Sequence, residues 1–202
     1  MRALFSVLAL AAVLLFTGFV PATQYGIGSE VSDFSLKNVD GRMVSLATYP
    51  EAKGFMIVFT CNHCPYAKKY QQRLNVISKK YAPQGVQLIA ISSTDPKSVP
   101  EDSYEEMVAI SQQEHYSYPY LMDSTQSVAK AFKAVKTPHA FVVFKEHGKW
   151  IVKYSGAIDD NGADEQKVTH HYVTDAVDAL LSGKVVAIAE TKSVGCAIKF
   201  GK

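Results

Sequence analysis

The chain has 202 residues, 48% of them hydrophobic, with 21 Lys+Arg against 19 Asp+Glu and only three cysteines. So nearly balanced a charge argues against nucleic acid or an anionic membrane as the main partner. Three cysteines are too few for a disulfide scaffold at this size, and a pair plus an odd one suits chemistry better than stapling.

Met1-Arg2 is a short positive start, followed by a nearly continuous apolar run from Ala3 to Val20. Val20-Pro21-Ala22 puts small residues where a signal peptidase needs them, so residues 1–22 read as a signal peptide cleaved after Ala22. The competing reading is an uncleaved anchor, since the run is just long enough to span a bilayer. No positive residue follows until Lys37, which keeps the N-terminus inside. Either way the remainder is expected to be exported, to the periplasm or beyond, and to touch a membrane only if the segment stays uncleaved. Residues 23–183 then read as one domain, and 184–202 as a C-terminal tail.

Val31 to Leu36 alternates apolar and polar residues, and Asp40-Gly41 marks a turn before Met43-Val44-Ser45-Leu46, predicting a strand or hairpin at a sheet edge. Gly54 to Phe59 is a continuous apolar run, the pattern of a strand buried on both faces. After Cys61-Asn62-His63-Cys64, the residues Tyr66, Tyr70, Leu74, Ile77 and Tyr81 recur at helical spacing until Pro83 and Gly85. Val86 to Ile91 is a second buried strand. Ser103 is placed to cap a helix running towards His115. Tyr118 to Met122 reads as a short strand, and Ser124 as the cap of a helix through Lys133. Ala140 to Phe144 and Trp150 to Tyr154, joined at His147-Gly148, form a hairpin. Val168 to Leu181 makes the last helix, and the tail carries Cys196. This order predicts an α/β sandwich, a central mixed sheet flanked by helices.

Cys61 follows a buried strand at or near a helix start, where backbone amides favour a thiolate. Cys64, three residues on, is close enough to close a disulfide. The pair suits exchange: Cys61, the more exposed and acidic thiol, attacks a partner disulfide, and the buried Cys64 resolves the intermediate. His63 is a candidate third catalytic residue, because a cationic imidazole beside the thiolate stabilises the reduced form; its bland reading is an inert surface residue. Pro65 leaves two geometries open, a helix from Cys61 or one with Pro65 in its first turn. A zinc site lacks a second cysteine pair, since Cys196 stands alone, and His170-His171 has the wrong spacing to replace one. A copper-binding thiol protein is a competing class. Cys196 is a candidate accessory thiol, with a buried, unreactive cysteine as the alternative.

Val31-Ser-Asp-Phe-Ser-Leu36 with Asp40-Gly41, Phe59-Thr-Cys-Asn-His-Cys-Pro65, Thr137-Pro-His139, Tyr154-Ser-Gly-Ala-Ile-Asp159 and Val194-Gly-Cys-Ala-Ile-Lys199 together resemble the thioredoxin-like superfamily. The likeness is to its peroxiredoxin-related, alkyl hydroperoxide reductase/thiol-specific antioxidant-like branch, and it covers nearly everything after the signal segment. The resemblance implies a cis Pro138 packed against the dithiol, with Thr137 backbone groups left free to bind a substrate strand. The chain also departs from the pattern. Thr60 and Phe55 stand where thioredoxins carry a tryptophan and a buried acid. Ile57 and Cys61 replace the peroxiredoxin proline and threonine, and no arginine follows Arg73. The expected function is a cofactor-free, metal-free thiol–disulfide oxidoreductase, acting as a monomer on protein or small-molecule thiols and disulfides. A peroxiredoxin-like thiol peroxidase is the runner-up.

Overall fold

The computed structural model describes residues 24–201; the expected signal segment, residues 1–22, lies outside them. Among the described residues no helix is long and apolar enough to cross a membrane. The first hairpin joins β1 (Ser35–Asn38) to β2 (Met43–Ser45), with Leu36 opposite Val44. Pairing starts later than the alternation from Val31 suggests. Asp33 Oδ1 accepts from the N–H groups of Phe34 (2.9 Å) and Leu46 (2.8 Å), a local arrangement that competes with a ladder.

The apolar run becomes β3 (Gly54–Thr60), parallel to β4 (Val86–Ser92) and antiparallel to β7 (His139–Glu146). Its period of two explains why both faces are apolar. Phe55, Ile57 and Phe59 pack with Val128, Ala129 and Phe132; Met56 and Val58 pack with Leu74, Ile77, Tyr81 and Val177 on the other side. With β5 (Tyr120–Met122) and β8 (Lys149–Gly156) the sheet runs in the order β2-β1-β5-β4-β3-β7-β8. It is the mixed sheet between helical layers that the element order implies.

The helix expected from Tyr66 to Tyr81 is two helices, α1 (Pro65–Lys68) and α2 (Gln71–Tyr81). The break falls at Tyr70, whose N–H goes to Ala67 three residues back and whose hydroxyl is held by Asp159 at 2.8 Å. Ser103 caps α3 (Tyr104–Gln113) as expected, accepting from Glu106 N–H at 3.4 Å. Ser124 does not cap α4 (Ser127–Ala131). Buried Asp123 does so instead, its carboxylate accepting from the N–H groups of Val128 (3.4 Å) and Ala129 (2.9 Å). The last helix, α5 (Tyr172–Leu181), starts four residues late, because Thr169 N–H is drawn to Asp160 Oδ1 at 2.9 Å. A separate two-stranded sheet pairs β6 (Lys136–Thr137) with β9 (Cys196–Ala197) in the tail.

His139 opens β7 with its ring over Phe141 (centroids 4.4 Å apart) and Nε2 at 3.1 Å from Ser155 Oγ. Burial pushes its pKa from the usual 6.5 down to about 4. The unfolded chain therefore binds a proton that the fold rejects between those values. The stability linked to neutral His139 is complete above pH 6.5 and drains away as pH falls towards 4, by about 3 kcal/mol. Urea denaturation at pH 7, 5.5 and 4.5 is expected to show this loss in the wild type and not in His139→Phe.

Candidate active site

Cys61 lies directly after β3, at the carboxyl end of parallel strands, where open α/β sheets place their ligands. Helix α1 begins at Pro65 in its first position, with Cys64 as an extended N-cap (φ −71°, ψ 119°). That settles the two geometries left by Pro65. Cys64, not Cys61, occupies the helix boundary, because a residue before proline avoids the α region.

Both thiols are free and buried, Cys61 at 2% exposure and Cys64 at 0%. Thr137 touches both: its Oγ1 is 3.0 Å from Cys61 Sγ, and its carbonyl accepts from Cys64 Sγ at 3.1 Å. The Thr137–Pro138 bond is cis. Burial pushes the Cys61 thiol up to about 12, with the Asp102 carboxylate adding to the rise, while Thr137 and the Cys64 N–H only partly offset it. Cys64 goes the other way. Burial raises it, but hydrogen bonds from the Cys196 thiol, the Ala67 and Cys196 N–H groups and Thr137 together bring it below the usual thiol value. Cys64 is the buried member, as expected, but Cys61 at the same site is hardly more open, and the shifts run against the expected order of acidity, up for Cys61 and down for Cys64.

His63 sits on the lip of the site with Nδ1 at 2.6 Å from Asp102 Oδ2. Asp102 is fully buried, and its Oδ1 also accepts from the N–H groups of Asn62 (2.7 Å) and His63 (3.1 Å). Cys61, His63 and Asp102 bring a sulfur, a ring nitrogen and a carboxylate oxygen within 4.8 Å of one another. The set is a conceivable cation cradle in composition, but the Asp102 oxygens already serve three N–H donors. Asn62 is pinned from both ends, donating to Glu101 O at 2.9 Å and accepting from Tyr120 OH at 2.9 Å. Asp102 and Tyr120 escaped sequence reasoning. The usable signal was the polar Pro100-Glu101-Asp102 stretch on a loop beyond a parallel strand, where site residues gather.

The Thr137 edge is not free. Strand β9 pairs with it in antiparallel register, Cys196 opposite Thr137 and Ala197 opposite Lys136, and Cys196 packs against the Cys61–Cys64 cluster. The tail is held further by Ile198 N–H to Val135 O (3.0 Å) and by Lys199 O, which accepts from Asp95 N–H (2.8 Å) and Gln126 Nε2 (2.9 Å). Arg73 is paired with Asp159, which also accepts from Tyr70.

The seven-stranded mixed sheet with flanking helices and a thiol pair under a cis-proline loop defines a thioredoxin-like α/β protein. The chain belongs to the AhpC/TSA family, which it matches over residues 27–160. It superposes on an uncharacterized conserved protein from Geobacillus kaustophilus with a TM-score of 0.80 and 36% identity, covering 88% of this chain and 94% of that one. A hypothetical protein from Sinorhizobium meliloti superposes equally, at TM-score 0.80 and 32% identity, covering 89% and 97%. The chain is also 22% identical, over 141 residues, to the thiol-disulfide oxidoreductase ResA of Halalkalibacterium halodurans, covering 68% of this chain and 73% of that one.

Proposed function

We propose that this protein is a thiol–disulfide oxidoreductase whose working pair is Cys61 and Cys64. The observation that carries the reading is the convergence of two free, buried thiols on Thr137, beside the cis Thr137–Pro138 bond. The similarity to ResA, a protein named for the same activity, supports it. The Cys64 thiolate attacks a substrate disulfide, forming a mixed disulfide and releasing one substrate thiolate. Cys61 then attacks Cys64 Sγ, the Cys61–Cys64 bond forms, and the second substrate thiolate leaves. His63, oriented by Asp102, takes the Cys61 proton as that sulfur attacks. Thr137 and Pro138 form the edge on which an extended protein substrate pairs, once the tail has moved aside. The protein works outside the cytoplasm, delivered by residues 1–22, and as a monomer with residues 23–183 as its redox domain.

A matched pair of assays tests this. Exchange with a peptide disulfide is expected to fall by more than about a hundredfold in Cys61→Ser and in Cys64→Ser. Hydrogen peroxide turnover is expected to be slow beside it, since Arg73 is committed to Asp159 and no arginine follows it. Exchange that survives both substitutions would end the reading. Fast peroxide consumption that dies with Cys64→Ser would replace it with a thiol peroxidase.

A further inference from the structure

The tail is seated with unusual closeness. A Cβ at Gly195 would lie 1.9 Å from Thr137 O and 3.2 Å from Pro138 Cδ, so only glycine allows the chain to approach this way. The next residue, Cys196, is half-buried, stands opposite Thr137, whose carbonyl accepts from Cys64 Sγ at 3.1 Å, and packs against the cluster that holds Cys64. Beyond it, Ile198 is 5% exposed and packs in the core cluster with Phe132 and Phe141. Gly201 N–H reaches Gln126 Oε1 at 2.8 Å. Glycine, a buried anchor and a run of backbone hydrogen bonds fix one cysteine against one member of the dithiol.

We propose that Cys196 is a third exchanging thiol, which takes Cys64 from Cys61 once the dithiol is oxidised. This rests on the dithiol reading above. The oxidised dithiol comes from a substrate disulfide. Cys196 gives up its proton to solvent and its sulfur attacks Cys64 Sγ. The Cys64–Cys196 bond forms, the Cys61–Cys64 bond breaks with its electron pair on Cys61, and Cys61 takes up a proton. One disulfide is consumed and one produced, so no further oxidant is required. Cys64 is the sulfur attacked because its Sγ bonds the carbonyl of Thr137, the residue that Cys196 faces across the β6–β9 pair. His63, with a ring nitrogen within 4.8 Å of Cys61 Sγ, is placed to return the proton. The product ties β9 covalently beside Thr137 and closes the edge on which a substrate strand would pair. The same strand is therefore substrate mimic and latch.

The test is a time course. Reduced protein receives one molar equivalent of oxidised glutathione, is quenched with acid, alkylated and digested without reduction, and its linked peptides are identified by mass spectrometry. The wild type is expected to show the Cys61–Cys64 link first and the Cys64–Cys196 link after it. Cys196→Ser should retain only the first, and Cys61→Ser should form only the second. Gly195→Val keeps all three thiols while lifting the tail, and should form the Cys64–Cys196 link about tenfold more slowly or worse. A wild type that never goes beyond Cys61–Cys64 overturns the relay and leaves the dithiol intact. Formation of the tail link at wild-type speed in Gly195→Val also overturns it, because the seat would then not be what aligns the thiols. If neither link forms, the dithiol reading fails and the relay goes with it.

Discussion

Limiting iodoacetamide, added to the reduced protein at pH 8, is expected to label Cys64 ahead of Cys61. The two sulfurs share one obstacle, since both are buried and both are reached only when the surrounding loops open. What separates them is charge. With its pKa pushed up to about 12, Cys61 holds only about one part in 10⁴ as thiolate at pH 8. Cys64, brought below the usual thiol value by converging donors, holds a larger share as thiolate. The advantage in thiolate share is reduced because a less basic thiolate is a weaker nucleophile. With a Brønsted slope of about 0.4–0.5, well below one, that offset is only partial and the order of labelling stands. Mapping of the first adduct decides it, and labelling of Cys61 ahead of Cys64 would refute the assignment. Raising the pH towards 12 should narrow the ratio as Cys61 ionises, while a purely steric difference would not respond.

That order of reactivity reverses what position along the chain suggests, and the reason is local. Cys61 follows a strand and precedes a helix, so the segment reads as a strand-to-helix junction with the first cysteine at the helix start. Pro65 moves that start to itself and leaves Cys64, not Cys61, as the N-cap. The dithiol itself, the buried strands β3 and β4 and the β7–β8 hairpin were legible because each is a property of contiguous residues. The apolar run Gly54–Phe59, for instance, can only be buried on both faces. The position of Pro138 against the dithiol was legible through family resemblance alone. Asp102 and β9 were not legible. Asp102 meets Asn62 and His63 across about forty residues, and Cys196 meets Thr137 across about sixty. A polar loop beyond a parallel strand suggests where site residues gather, but neither it nor a short tail announces its distant partner. The tail's Gly195 is intelligible only once Thr137 O is seen where its Cβ would be.

Asp102→Ala is expected to cost about 3–5 kcal/mol of stability and to make Cys61 more acidic. The carboxylate is fully buried and accepts three hydrogen bonds, from Asn62 N–H (2.7 Å), His63 N–H (3.1 Å) and His63 Nδ1 (2.6 Å). Alanine leaves the two backbone donors without a partner in a site too enclosed to supply water freely. Each such loss costs roughly 1–3 kcal/mol, more where an ionised acceptor was involved. The His63 ring escapes part of the penalty by turning out to solvent, since it sits on the lip of the site. A second effect separates this role from mere packing. The Asp102 charge helps to hold the Cys61 thiol protonated, so its removal should shift the pH profile of Cys61 alkylation downwards. Asp102→Asn is the companion variant. It keeps an acceptor for the loop and loses the charge, so it should recover part of the stability while keeping the shifted profile. Urea denaturation and the alkylation profile are both read on the same preparations. If Asp102→Asn matched the wild type in its Cys61 profile, the carboxylate would be a fastener of the Asn62–His63 loop and nothing more.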